Sequence, residues 1–186
     1  MSAAVIAQPC QGLDKEGNVE MNDGNEKPGF SSSLPAPATY LDVGYRFSRA
    51  HCFDPVQVSA FANAAGDDNP IHHDPEMAEK SRYGKPIVSG THTTALLMGL
   101  VASHLSKLCQ VVGVKFAVEL LRPVFSHEQV TLHWEVTGVQ SHPAAGHFLD
   151  LTGAVIGADG IARVSGTGRV LAWSFIWCGS KTGSFE

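Results

Sequence analysis

The order of apolar and polar positions changes character along this chain. Residues Met1 to about Thr39 are rich in Gly, Pro, Ser, Asn and acidic groups, and include Ser31-Ser32-Ser33-Leu34-Pro35-Ala36-Pro37. Such a composition buries too little surface to offset chain entropy, so residues 1–39 read as a disordered or loosely attached arm. Tyr40 to Phe53 then reads as a lead-in loop and a first strand. Asp54 has the form of an N-cap, and Pro55 follows at the first helical position, where a missing N–H costs nothing. Val56, Phe61 and Ala64 recur at helical spacing, with Val58 and Ala65 beside them. Gly66 fits the position just past the helix end. Asp74-Pro75-Glu76 repeats the cap-and-proline signal for a short helix through Lys80, which Tyr83-Gly84-Lys85-Pro86 breaks. After Ser89-Gly90-Thr91 a longer helix runs to about Leu105. Its residues Ala95, Leu96, Leu97, Met98, Leu100, Val101, Ala102 and Leu105 make it apolar nearly all round, the pattern of a buried helix.

Beyond that helix the pattern turns to strands. Val111 to Phe125, Glu128 to Val139, Phe148 to Gly157 and Ile161 to Phe175 carry β-branched and aromatic residues. Asp159-Gly160 between two of them is a hairpin signal. The order predicts an α+β domain over residues 40–175, in which one long central helix is wrapped by a curved antiparallel sheet. Residues 176–186, with Trp177 and Cys178, read as a loosely ordered tail. No internal repeat is visible.

With 186 residues, the chain is long enough for one domain with a real core. The net charge of −5 comes without any basic cluster, which argues against nucleic acid and against an anionic membrane surface. No apolar run approaches the length of a membrane span. The N-terminus has neither a secretory signal pattern nor an Arg-rich transit pattern, so the expected compartment is cytoplasmic. Cys10, Cys52, Cys109 and Cys178 have no metal spacing and read as buried or free thiols; nothing in their placement proposes a disulfide.

The chemistry concentrates in Phe61 to Asp74. Asp67 and His72 stand five positions apart, too far to share a helix face but well placed in a bent loop. Pro70 stiffens the turn between them, and Asn69 can tie it to its own backbone. A carboxylate and an imidazole converging on one small volume suit acid/base chemistry. The run His72-His73-Asp74 is a poor metal site, because adjacent residues seldom converge on one ion and no further ligand pair has suitable spacing. His73 reads as exposed or supporting, and Asp74 as a helix cap. His51, His127, His133, His142 and His147 read as strand or turn surface, and His92 and His104 receive no role.

These residues carry a resemblance. Phe-Ala-x-x-x-Gly-Asp-x-Asn-Pro-x-His-x-Asp-Pro (Phe61 to Pro75), then Pro86-Ile87-Val88-x-Gly90, then Val114-Lys115-Phe116 with Arg122-Pro123-Val124-Phe125, resemble the MaoC-like hot-dog family. That family holds (R)-specific enoyl-CoA hydratases and 3-hydroxyacyl-thioester dehydratases. The likeness covers about Leu41 to Leu171. It implies a hot-dog fold, a homodimer, and reversible hydration of trans-2-enoyl thioesters to (3R)-hydroxyacyl thioesters. By position, Asp67 and His72 match the catalytic pair, and Gly90 the glycine whose amide polarises the thioester carbonyl. Asn69, Ser89, Thr91 and Met98 are expected to line the substrate site. Water is the co-substrate; CoA or carrier pantetheine belongs to the substrate, and no metal or redox cofactor is implied. Ser89 stands where many relatives have His, and Met98 where others have a small polar residue; Ser126-His127-Glu128 replaces the more usual Gly-Asp. These departures bear on acyl specificity. Two other readings stay open: a dehydratase for carrier-protein-bound specialised acyl intermediates, and a non-catalytic subunit that binds acyl thioesters.

Overall fold

The computed structural model describes residues 41–142 and 146–173. The arm over 1–39 and the tail over 176–186 lie outside the described residues. The chain forms β1 (Arg46–Cys52), α1 (Pro55–Ala64), a 3-10 turn (Pro70–His72), α2 (Pro75–Lys80), α3 (Gly90–Leu105), β2 (Gln110–Leu120), β3 (Gln129–Ser141), β4 (His147–Gly157) and β5 (Ala162–Trp173). The strands make one antiparallel sheet in the order β1-β3-β4-β5-β2, so β1 and β2 are its edges.

Local chemistry fixes the helix starts. Asp54 Oδ1 accepts from Val56 N–H (2.9 Å) and Gln57 N–H (3.2 Å), and Asp74 Oδ1 does the same for Glu76 and Met77. Each such cap is worth about 1 kcal/mol. At the β4–β5 hairpin Gly160 takes φ +76°, while Asp159 Oδ1 accepts from Ile161 N–H.

The core lies between α3 and the concave face of the sheet. Leu97, Leu100, Val101 and Leu105 face Leu132, Trp134, Val136, Leu149, Leu151 and Val155, all buried. Trp134 is fully buried, and its indole N–H donates to Leu97 O on α3 at 2.8 Å. Room for this ring comes from glycine: a Cβ at Gly153, directly opposite on β4, would collide with the indole.

Four expectations need correction. The packed face of α1 is Val58 and Ala62; Val56 is 76% exposed and Ala64 is exposed. Both spacings are helical, and the position of α3 decides between them. Strand β2 ends at Leu120 rather than Phe125, because Leu121 and Arg122 both turn their N–H groups onto Arg163 O and Pro123 has none to give. The helix α3 is not covered all round. One sheet wraps one side of it, and Ala95, Met98 and Ala102 stay exposed. Cys109 is a buried thiol whose ionisation burial pushes up. Cys52 is disulfide-bonded, against the reading of all four cysteines as thiols; such pairing follows from tertiary proximity, which spacing does not carry. No helix among the described residues is long and apolar enough to cross a membrane.

Candidate active site

The site starts where α1 stops. Gly66 takes φ +71°, and the chain closes with Gly66 N–H on Asn63 O and Asp67 N–H on Ala62 O. This paired closure satisfies the last carbonyls of the helix and reverses the chain. Asp67 is therefore presented at the first step of the loop. Its Oδ1 accepts from Asn69 N–H at 3.3 Å, and Asn69 Oδ1 caps the 3-10 turn through Ile71 N–H at 3.4 Å. Pro70 opens that turn, which delivers His72.

His72 is 8% exposed, and its Nδ1 lies 2.8 Å from Ile87 O. A carbonyl only accepts, so Nδ1 carries the hydrogen and Nε2 is left as the free nitrogen. That Nε2 faces Asp67 Oδ2 at 3.4 Å. His73 adopts the opposite arrangement. Its Nε2 donates to Asp67 O at 2.7 Å, and its Nδ1 accepts from Ser59 Oγ of α1 at 2.9 Å. Adjacent histidines thus divide the work: one aims a ring nitrogen at the carboxylate, and the other ties that carboxylate's backbone to α1.

The third part is the start of α3. Ser89 caps it, accepting from His92 N–H through Oγ (3.3 Å) and from Thr93 N–H through its carbonyl (3.3 Å). Among the described residues no hydrogen bond engages the N–H of Gly90 or Thr91. Free amides at a helix N-terminus favour negative charge. A Cβ at Gly90 would meet the end of the Leu120 side chain, which is exposed and would have to swing aside.

His72 and Gly90 line one cavity of about 260 Å³, with Val88, Thr93, Val124 and Val164 on its inner walls and Arg82, Tyr83 and Arg122 also along it. Leu120 separates this cavity from a second, apolar hollow lined by Thr91, Ala95, Met98 and Val118. Gly90 and Leu120 border both. The structure therefore pairs Asp67 with His72, places His72 and Gly90 on one cavity whose lining does not include Asp67, and sets Thr91 and Met98 in the neighbouring hollow. Ser89 is fully buried, with its hydroxyl held by the cap and by Thr91 Oγ1, and Asn69 is exposed with its oxygen spent on the turn.

One histidine lies elsewhere than the sequence reading placed it, and another, left without a role there, has a definite place. His51 is not surface: its ring packs edge-on against buried Phe53, and burial, then Arg49, lowers its pKa. His92 stacks on Phe61 of α1 (centroids 4.2 Å apart, planes 4° apart), and burial, then His51, lowers its pKa to about 4. That stack pins α1, which leads into Asp67, to α3, which begins at Gly90. The sequence reading also passed over Ser59, Tyr83, Arg82, Arg122 and Leu120. The Arg-Pro-Val-Phe block was a signal for Arg122; for the others nothing local marks a contact made across elements.

Asp67 thus sets a carboxyl oxygen 3.4 Å from a ring nitrogen of His72, and α3 begins with amides that no described residue engages. The fold around them is that of the hot-dog hydratases and dehydratases. The chain belongs to the MaoC like domain family, whose sequence model matches residues 34–149. It is 34% identical over 104 residues to an (R)-specific enoyl-CoA hydratase of Aeromonas caviae, spanning 55% of this chain and 76% of that one. It is 30% identical over 74 residues to a mitochondrial 3-hydroxyacyl-[acyl-carrier-protein] dehydratase of Arabidopsis thaliana, covering 40% of this chain and 45% of the relative. Among solved structures, the (R)-hydratase from A. caviae involved in PHA biosynthesis superposes with a TM-score of 0.65 at 28% identity, over 72% of this chain and 98% of that one.

Proposed function

We propose that this protein adds water reversibly to trans-2-enoyl thioesters, giving (3R)-hydroxyacyl thioesters, with coenzyme A as the thioester carrier. The observation that carries the reading is the 3.4 Å approach of Asp67 Oδ2 to a His72 Nε2 freed by the Ile87 bond, with His72 and Gly90 lining one cavity. Water bridges the two groups: the hydrogen it keeps is hydrogen-bonded to Asp67, and its other proton moves to His72 Nε2 as the oxygen bonds to C3. The proton on Nε2 then passes to C2, so that the elements of water are added and both groups return to their starting state. Charge that builds on the thioester oxygen meets the Gly90 amide, an interaction worth roughly 3 kcal/mol of barrier. This chemistry calls for no metal or redox group.

The acyl chain runs past Leu120 into the hollow beside α3, where Met98 sets its depth. The exposed edge of β2, with Val112, Val114 and Leu120, and the uncovered face of α3 form the contact of a homodimer. An isologous pairing of the two edges covers both. A carrier-protein thioester is a second reading, supported by the Arabidopsis relative's name.

Enoyl absorbance loss on crotonyl-CoA and a matching carrier-protein substrate, with chiral analysis of the product, tests these readings together. Asp67→Asn and His72→Ala should each lower kcat on the order of 10³-fold with melting temperature little changed. Full activity in either variant refutes the dyad.

A further inference from the structure

We propose that Arg82 and Arg122 form an anion site at the shallow end of the catalytic cavity, and that it binds the phosphate of the phosphopantetheine arm carrying the acyl group. The inference rests on the thioester reading above and adds how the carrier is recognised.

The cavity has a direction. His72, Val88, Thr93, Val124 and Val164 are buried, whereas Arg82, Leu121 and Arg122 are exposed, so His72 sits at the deep end and the two guanidiniums at the shallow one. Three other arginines are neutralised: Arg46 pairs with Glu135, Arg163 with Glu128 and Asp159, and Arg169 with Asp150. Arg82 and Arg122 have no carboxylate partner among the described residues. Arg49 of β1 shares that condition, but it does not line this cavity.

Both side chains are nonetheless oriented. Arg82 Nη2 donates to Tyr83 Oη at 2.6 Å, and Arg122 Nη1 donates to Ala162 O at 3.0 Å. A guanidinium has five N–H donors, so each arginine retains most of its fork. Two cations lining one hollow, in a chain of net charge −5, repel each other unless an anion joins them. Paired forks suit the tetrahedral oxygens of a phosphate. The 4′-phosphate is common to coenzyme A and to a carrier protein's prosthetic arm, so one site serves either source.

The test compares crotonyl-CoA, crotonyl carrier protein and crotonyl-N-acetylcysteamine, the last lacking any phosphate, on wild type, Arg82→Gln, Arg122→Gln and the double variant. The ratio of kcat/KM for the CoA thioester to that for the N-acetylcysteamine thioester should fall at least tenfold in the double variant. The change should appear in KM, and raised salt should erode the wild-type ratio while leaving the variant's flat. An equal fall for the carrier-protein substrate assigns the site to the shared 4′-phosphate; a fall for CoA alone moves it to the nucleotide phosphates. Arg122→Lys, which keeps the charge, should retain part of the ratio. Equal losses on phosphorylated and phosphate-free substrates, or none, overturn the proposal. Should no substrate be hydrated, the thioester reading fails by itself. Calorimetric binding of free coenzyme A then decides: weaker binding in the double variant sustains the site, and identical binding removes it.

Discussion

The loop from Gly66 to Asp74 and the surface made by β2 with the outer side of α3 are opposites. In the loop nearly every polar group has a partner within the chain: Gly66 and Asp67 close the helix, Asn69 caps the turn, and His73 ties Asp67 O to Ser59. On the other surface Val112, Val114, Leu120 and Met98 stand open to solvent, and β2 is a sheet edge. The loop is finished by its own sequence. The surface makes physical sense only when another apolar face covers it. On the proposed function, one region sets the chemistry, and the other the assembly and the acyl pocket.

The sharpest way to break this contrast is at His73. If the loop is held by its own bonds, His73→Leu frees Asp67 O and Ser59 Oγ and lets the carboxylate drift. A displacement near 1 Å costs on the order of 10²-fold in rate. Steady-state kinetics should show that loss in kcat with KM within about twofold, and His73→Gln, which restores a donor to Asp67 O, should recover much of it. Equal kcat in Leu and Gln variants would mean that the bond does not position the dyad.

Val114→Lys probes the other half. The residue is exposed in the single chain, so the fold tolerates the charge, while an unpaired charge buried at an interface costs about 2–5 kcal/mol. Sedimentation should show a dimer in the wild type and association weakened by more than about tenfold in the variant. A variant that stays fully dimeric removes β2 from the contact.

The smallest effect is expected where the two regions meet, at the His92–Phe61 stack. With its pKa lowered to about 4 from 6.5, His92 stays neutral in the fold while the unfolded chain takes up a proton. Stability is therefore complete above about pH 6.5 and declines as pH falls towards 4. His92→Phe keeps a stacked ring and should flatten that decline in thermal melts. An unchanged slope would assign the acid sensitivity to another group.

Much of the fold was legible because its punctuation is local. Asp54-Pro55, Asp74-Pro75, Gly66 and Asp159-Gly160 act within a few residues of themselves, and each stands in the structure where its chemistry predicts. The Asp67–His72 pairing was legible because Pro70 and Asn69 bend a short segment. Contacts across the chain were not. The face α1 buries depends on α3, the early end of β2 depends on a carbonyl of Arg163, and the burial of His51 and His92 depends on Phe53 and Phe61. The uncovered side of α3 looked like core because apolar composition does not distinguish a sheet from a second subunit.

The bond from Trp134 to Leu97 O fixes how far α3 can slide along the sheet. The height of the Gly90 amide above the loop is therefore inherited from a strand residue remote from any substrate. Residues on the helix's open side, Ala95 and Met98 among them, are relieved of that duty. On the proposed function, bulkier or slimmer residues at those positions would change diet without disturbing the machinery.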